Sequence, residues 1–229
     1  MKYKLTEDKK NIEGNVVYRI QSLESFSDVN EGDFGGWIES EDNLSQKGNC
    51  WVYDDAAVRG RAKVLDNAKI KNNAMIFDYA QVSDDAVLCD YAQASNNARV
   101  YGNAMMFGWS RAYNYAEVFG NSKLKDNVRA LLDAWVYGDV EVSGTAYITA
   151  KCTRTPLVLM GLPYTVTIMD EELSFDCQSR TTQEWMEMTN EELMVLDKSK
   201  AVRFFNKYRD HMKYLANIHQ GVGNARSNN

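Results

Sequence analysis

Side chains that commonly perform acid–base chemistry are scarce in this sequence. Only two histidines occur in the 229 residues, His211 and His219, and both lie near the C-terminus. A general base must come within hydrogen-bond reach of the proton that it removes. Residues 1–210 contain no histidine, so only a folded-back segment or a neighbouring subunit could bring His211 to them. We expect both histidines to be ordinary helix residues, and we predict no catalytic residue.

The cysteines and aspartates also lack the spacing of a familiar site. The cysteines are Cys50, Cys89, Cys152 and Cys177. No two form a C-x-x-C pair, which argues against a zinc or redox motif. The first half of the repeats carries aspartates where Asp typically serves a tight turn: Asp54, Asp55, Asp66, Asp78, Asp84, Asp85 and Asp90. A Ca²⁺ site between stacked turns is the alternative, but we predict no metal and no cofactor.

A six-residue repeat supplies the framework for any site. From Trp51 to Cys152 the chain divides into seventeen hexads, from WVYDDA to YITAKC, without an insertion. The second residue is Val, Ile or Leu in thirteen hexads, and the sixth is Ala in twelve. Residues two apart in a strand point to the same face, so the sixth residue and the next second residue turn inward together. A helix cannot keep a period of six on one side.

Three hexads make a triangular coil of 18 residues. The inward aliphatic residue is replaced by alanine at Ala94, Ala112 and Ala130, which are 18 apart and therefore stack on one wall. Met106, on a neighbouring wall, could fill the space that they leave. The fourth residue is mostly Asp, Asn or Gly, types that tolerate the backbone angles of a corner. The sequence therefore predicts a parallel β-solenoid of about six coils.

The V-x-[GDN]-N-A-x signature resembles the hexapeptide-repeat left-handed β-helix proteins. Residues 32–56, 161–170 and 175–185 look like an uncharacterised phage, prophage and bacterial group of that family, sometimes labelled transferases. The left-handed sense of the coil is implied by this resemblance alone. Acyltransferases of the family use a histidine on the solenoid, and carbonic anhydrases on this fold use a histidine-bound metal. Neither pattern is found in the repeats of this chain.

The segments before and after the repeats, together with the repeats, indicate a mainly β protein with a small C-terminal α/β extension. We expect an N-terminal β cap over 1–50, the β-helix over 51–152 and a strand and turn segment over 153–180. Helices follow over 181–220, with capping boxes beginning at Thr181 and Thr189 and Asp197 capping a longer helix to His219. These helices either pack on the end of the solenoid or form an oligomer contact. Residues 221–229 are predicted to be a disordered tail.

The first and third residues of each hexad point outward and define three walls. The first wall begins at Trp51, the second at Ala57 and the third at Lys63. The outward and corner positions hold large apolar side chains of the kind that mark contact surfaces. The predicted interaction residues are Met75, Phe77, Tyr91, Met105, Phe107, Trp109, Tyr113, Tyr115, Trp135 and Tyr137. Tyr91 and Trp109 are 18 apart, so we expect them to stack.

Three functions compete for this surface. We predict a non-catalytic binding protein, phage-encoded, that forms a homo-oligomer and binds and inhibits or sequesters a host protein connected with defence. The first alternative is an acyl- or nucleotidyl-transferase of hexapeptide type with an active site between subunits. The second is a nucleic-acid or nucleotide binder, in which aromatic residues stack on bases and four lysines contact phosphates: Lys69, Lys71, Lys123 and Lys125.

Charge and hydropathy bear on the partners and the location of the protein. The net charge of −6 argues against a general electrostatic grip on nucleic acid. No apolar run approaches the roughly 20 residues of a membrane span, and the first residues lack the apolar stretch of a signal peptide. We therefore predict a cytoplasmic protein with reduced cysteines and no membrane partner, which would act in the host cytoplasm if it is phage-encoded.

Overall fold

The computed structural model describes residues 1–221, and it begins with a β-hairpin. Strands β1 (Tyr3–Ile12) and β2 (Asn15–Ser22) pair antiparallel. Strand β3 (Phe34–Ile38) adds to the other side of β2, and a short 3₁₀ helix follows at Glu41–Asn43. Most of the predicted tail, from residue 222 onward, lies outside the described residues.

The solenoid consists of eighteen two-residue strands in three parallel walls, of which the seventeen hexads predict the first seventeen. The first wall contains β4 (Trp51–Val52), β7 (Lys69–Ile70), β10 (Val87–Leu88), β13 (Met105–Met106), β16 (Lys123–Leu124) and β19 (Glu141–Val142). The second contains β5 (Ala57–Val58), β8 (Met75–Ile76), β11 (Gln93–Ala94), β14 (Arg111–Ala112), β17 (Arg129–Ala130) and β20 (Tyr147–Ile148). The third contains β6 (Lys63–Val64), β9 (Gln81–Val82), β12 (Arg99–Val100), β15 (Glu117–Val118), β18 (Trp135–Val136) and β21 (Lys151–Cys152).

The core of the solenoid is formed by the second and sixth hexad residues, as predicted. Val100 and Ala104 are completely buried, and so is Met106. The alanine strip also forms, because β11, β14 and β17 pair in register through Ala94, Ala112 and Ala130. Every coil buries its small inward residues against the coils above and below, so each one depends on its neighbours for stability. The left-handed sense of the coil stays a prediction.

The fourth hexad residue turns the corner in a left-handed backbone conformation in every hexad but the last. Asn96 has a φ of 55°, which Asn tolerates better than most residues. Its side chain also accepts a hydrogen bond from the Asn114 amide at 3.3 Å, while its own amide donates to Asp78 at 3.1 Å. Gly102 is a different case, because an added Cβ would lie 3.0 Å from the backbone nitrogen of Gly120. Where the corner residue is Asp or Asn, as at Asn96, its side-chain oxygen therefore accepts a hydrogen bond from a backbone amide of the next coil.

The N-terminal strands cover the open end of the first coil. Strand β3 pairs parallel with β5 and so continues the second wall. Trp51 was expected to be an exposed outward residue, but it is only 1% exposed. Tyr3 and Phe26 contact its ring edge-to-face, with ring centroids 6.0 and 5.5 Å away. The outward direction of Trp51 is therefore right, and its expected exposure is wrong because the hairpin packs over it.

The last coil is shorter than the others. Strand β21 follows β20 after two residues, where earlier strands are four residues apart. Val136 consequently pairs with Cys152, sixteen residues later rather than eighteen. Thr149, which the hexad pattern places outside, becomes buried. The regular hexads therefore end before the predicted limit at Cys152.

A four-stranded antiparallel sheet closes this end of the solenoid. Its strands are β22 (Leu157–Leu159), β23 (Val166–Ile168), β24 (Glu172–Phe175) and β25 (Gln178–Thr181). Met169 joins the solenoid core, and the Ser174 hydroxyl donates to the Tyr147 carbonyl at 2.8 Å. The sheet therefore caps the last coil directly.

Two helices pack on the other side of this sheet. Helix α1 spans Thr182–Glu187, and helix α2 spans Asn190–Gln220 with a break in helical geometry at Asp197 and Lys198. The predicted capping boxes at Thr181 and Thr189 both form. Trp185, Phe205 and Met212 are buried with Phe175 of the sheet. Among the helices of residues 1–221, none is long and apolar enough to cross a membrane.

Candidate functional site

The second wall carries positive charge without outward carboxylates. Its outward positions, in hexad order up to the shortened last coil, are Ala57, Arg59, Met75, Phe77, Gln93, Ser95, Arg111, Tyr113, Arg129, Leu131 and Tyr147. No Asp or Glu occurs among these positions. Arg59 is bonded to Glu13 of the N-terminal hairpin. The other two arginines, Arg111 and Arg129, make no salt bridge within residues 1–221.

A groove of about 210 Å³ lies over the middle of this wall. It is lined by Phe77, Gln93, Ser95, Arg111, Tyr113 and Arg129. Arg111 and Arg129 are direct partners on β14 and β17, so their backbones are one strand spacing apart, about 4.8 Å. The Arg129 guanidinium donates to the Tyr147 hydroxyl at 3.3 Å. We call this feature the arginine groove.

The arginine groove is flanked by exposed aromatic residues at both corners. Tyr91 and Trp109 stack on the preceding corner with ring centroids 4.2 Å apart, as predicted, and are 44% and 52% exposed. Tyr115 follows Tyr113 at the opposite corner and is 63% exposed. Arg111 therefore has an exposed aromatic ring on each side within its own coil.

The predicted interaction residues do not form a single patch. Met75, Phe77, Tyr91, Trp109, Tyr113 and Tyr115 lie on the second wall or its corners. Met105 and Phe107 are half-buried on the first wall. Trp135 and Tyr137 lie on the third wall, where Tyr137 stacks on Phe119 at 4.9 Å. The ten residues thus face three directions, and the largest group surrounds the arginine groove.

The four lysines predicted to contact phosphate are divided and mostly engaged. Lys69 and Lys71 lie three coils from Lys123 and Lys125 on the first wall, which is about 14 Å at the usual strand spacing. Lys69 bonds to Asp28 at 2.9 Å, Lys71 lies over the ring of Tyr53, and Lys125 bonds to Glu141. The four therefore do not form a compact anion site.

Acid–base groups are poorly placed for catalysis on the walls. Burial raises the pKa of Tyr113 although the nearby Arg129 lowers it, and burial raises the pKa of the Cys89 thiol to about 11. His211 is exposed on α2. His219 is half-buried, and burial lowers its pKa. Within residues 1–221, no group of three or more His, Cys, Asp or Glu side chains is arranged to hold a metal.

The two groove arginines are not among the interaction residues that the sequence predicts. Their signal was present in the hexads, because Arg111 and Arg129 are 18 residues apart on a wall without outward acidic residues. The predicted interaction residues are instead the large apolar and aromatic side chains at outward and corner positions. Summing charge over all three walls hides this local excess, which appears only when each wall is considered separately.

Comparison with known proteins gives one partial relationship. No family model matches the chain. "Uncharacterized acetyltransferase YdcK" of Escherichia coli strain K12 is 40% identical over 65 residues. The match covers 25% of this chain and only 20% of that protein. The β-solenoid and the partial match fit a hexapeptide-repeat, transferase-like protein, while phage origin and the inhibition of a host protein stay predictions.

Proposed function

We propose that this protein is an acyltransferase of hexapeptide type that binds a phosphate-bearing acyl donor, such as acetyl-coenzyme A, on its second wall. The arginine groove carries the proposal. Arg111 and Arg129 are adjacent cations without carboxylate partners in the described chain, and guanidinium groups bind phosphate in a favourable bidentate geometry. The partial match to a protein named as an acetyltransferase favours an acyl donor over other phosphate compounds.

The size of the groove indicates which part of the donor it holds. Drug-sized ligands occupy pockets of roughly 300–1,000 Å³, so the groove of about 210 Å³ suits a diphosphate group rather than a whole donor. The adenine ring would then lie against an exposed aromatic corner, either the Tyr91–Trp109 stack or Tyr115. Aromatic side chains stack on any base because every base has a π-face.

The chemical step requires a base that the second wall does not supply. In this proposal the exposed His211 of a neighbouring copy approaches the donor, so that the complete site forms between subunits. A homo-oligomer is therefore part of the proposal. The base would accept a proton from the acceptor as its nucleophile attacks the thioester carbonyl, and the coenzyme A thiolate would leave.

The test is calorimetric titration of acetyl-coenzyme A into wild type, Arg111→Gln and Arg129→Gln. A hydrogen bond to a charged group contributes about 1.5–3 kcal/mol, so each variant should bind about ten- to a hundredfold more weakly. Arg99→Gln is the matched control. Arg99 occupies the same hexad position on the third wall, where it faces Glu117 at 3.7 Å, and its replacement should leave binding unchanged.

Activity provides the second part of the test. Release of the coenzyme A thiol in the presence of a panel of amine and hydroxyl acceptors should depend on His211 and be lost in His211→Ala. Equal donor affinity in wild type and both groove variants would exclude the arginine groove as the donor site. Absence of donor binding at millimolar concentration would exclude the proposed function.

The exposed aromatic corner supports a second candidate, which is contact with another protein. The Tyr91–Trp109 stack is an exposed apolar surface on a rigid solenoid, and Trp and Tyr are enriched at the centres of interfaces. Its occupant would be either a second copy of this chain or the host protein that the sequence analysis predicts. Light scattering and a pull-down from host lysate, each with wild type and a Phe107→Asp, Trp109→Asp double variant, distinguish the two. Unchanged assembly and unchanged recovered proteins would rule out this corner.

A further inference from the structure

The C-terminal unit contains a cavity that the proposed transferase function does not use. It has a volume of about 190 Å³ and lies between the four-stranded sheet and helices α1 and α2. Its apolar walls include Tyr164, Phe175, Trp185, Leu196 and Phe205. Trp185 and Phe205 form its buried floor, with 1% and 2% exposure. The cavity is partly open to solvent, so a small molecule can enter it without unfolding of the unit.

The polar groups of the cavity are acidic or neutral. Asp176, Asp197 and Gln178 contribute to its lining, and no Lys or Arg does so. The Tyr164 hydroxyl donates to Asp197 at 2.6 Å. This bond, together with the neighbouring Lys200, holds the pKa of Asp197 below its usual range. The carboxylate is therefore ionised at neutral pH, and the cavity disfavours anionic ligands.

Lys200 shows where a cation can lie beside this cavity. Its ammonium is 4.2 Å from the centre of the Tyr164 ring and 3.4 Å from a carboxylate oxygen of Asp197. An aromatic face and a carboxylate both attract a cation. Lys200 itself does not line the cavity. Its ammonium therefore lies at the rim, and its side chain does not enter the aromatic interior.

We propose that this cavity binds a small amine with an aromatic or apolar body. The body would occupy the space over Trp185 and Phe205, and the ammonium would lie between Tyr164 and Asp197 in competition with Lys200. The volume is adequate, since an engineered apolar cavity of about 150 Å³ in another protein binds benzene. The cavity and the arginine groove have no lining residue in common, and the amine proposal does not require the protein to be a transferase.

The first test uses the full-length protein and two of its own cysteines. Cys177 is exposed and lines the cavity, whereas the half-buried Cys89 lies on the first wall of the solenoid. Alkylation by N-ethylmaleimide, followed by peptide mass spectrometry, should slow at Cys177 when benzylamine is added, with no change at Cys89. Benzyl alcohol should protect Cys177 more weakly than benzylamine, and benzoate should not protect it.

The second test changes the rim charges in opposite directions. Asp197→Asn should weaken benzylamine binding and Lys200→Met should strengthen it, each by about two- to fivefold, as expected for partly exposed charge interactions. The chain offers matched controls on the same helix. Asp210→Asn removes a carboxylate that does not line the cavity, and Lys207→Met removes a lysine that lies 5.0 Å from the ring of Tyr208. Both should leave the affinity unchanged.

The proposal fails if benzylamine does not protect Cys177, or if benzoate protects it equally well. It also fails if Lys200→Met weakens binding, because the ammonium of the ligand would then not compete with Lys200. These results are independent of acetyl-coenzyme A binding, which is measured with Arg111 and Arg129 variants on the solenoid. Failure of one proposal can therefore be distinguished from failure of the other.

Discussion

Leu132 departs from the rule that governs the corners of the solenoid. It occupies a fourth hexad position with a φ of 60°, in the column where Asp78, Asn96 and Asn114 precede it. Its backbone N–H donates a hydrogen bond to the side-chain oxygen of Asn114 at 3.3 Å. Its own side chain has no oxygen to offer to a following coil. We expect the backbone of Leu132 to be strained and the strain to be measurable by replacement with glycine.

The magnitude follows from two opposing contributions. A left-handed conformation costs an L-residue about 1–2 kcal/mol, and glycine avoids this cost. Leu132 is 48% exposed, so removal of its half-buried side chain loses about 1 kcal/mol of the roughly 1.5–3 kcal/mol for full burial. Leu132→Gly should therefore have a stability close to that of wild type. Leu132→Ala loses the side chain but keeps the strain, so it should be less stable than Leu132→Gly by about 1 kcal/mol.

Urea and thermal denaturation measure this difference. A difference of 1 kcal/mol corresponds to about 2–4 °C in Tm for a protein of this size. The same pair of replacements at Asn96 is the control. There both variants also lose the hydrogen bond to the Asn114 amide, so Asn96→Ala and Asn96→Gly should both fall below wild type. If Leu132→Ala were as stable as Leu132→Gly, the assigned corner strain would be refuted.

Two further predictions concern buried polar groups. Ser110 and Ser122 share the sixth hexad position, but within the described chain only the Ser122 hydroxyl has a hydrogen-bond partner, the carbonyl of Phe119 at 2.8 Å. Because the buried Ser110 hydroxyl is unsatisfied, urea denaturation should show that Ser110→Ala is more stable than wild type by about 1 kcal/mol. Ser122→Ala should be as stable as wild type or less stable by up to about 1 kcal/mol. A Ser122→Ala variant more stable than wild type would contradict this reasoning. Burial, and to a lesser degree Arg154, lowers the pKa of His219 in the folded protein. As the pH falls, the unfolded chain therefore takes up a proton at this histidine before the folded chain does. The free energy of unfolding should consequently decrease as the pH drops below about 6.5. His219→Gln should reduce the stability lost between pH 7 and pH 5, and an unchanged loss would contradict the assignment.

The hexads were sufficient to predict the solenoid because each inward position has a simple steric requirement. Val100 and Ala104 are fully buried, and the alanine strip stacks in register. The Tyr91–Trp109 stack was predictable for the same reason, since a repeat of 18 residues places equivalent side chains directly above one another. Local helix signals at Thr181 and Thr189 were also sufficient, because a capping box is formed within four residues.

Features that depend on contacts between distant segments were not predictable from the repeat. The burial of Trp51 depends on how the N-terminal hairpin folds back, and hexad spacing contains no information about that path. The shortened last coil has no signal in the hexads either, since Cys152 pairs with Val136 two residues earlier than the 18-residue register predicts. The cavity of the C-terminal unit combines Tyr164, Trp185 and Phe205 from a loop and two helices. Its shape therefore depends on packing rather than on a motif.

The repeat also limits what sequence identity over a short segment of the solenoid indicates about activity. In each hexad the second, fourth and sixth residues are constrained by the core and the corners, so unrelated solenoids share identities at these positions for structural reasons alone. The first, third and fifth residues are free of those constraints and are where a binding site can differ between proteins of one fold. Arg111 and Arg129 occupy first positions, and Trp109 and Tyr115 occupy fifth positions. Replacing the arginines should therefore change ligand binding without unfolding the protein, which makes donor affinity a direct test of function.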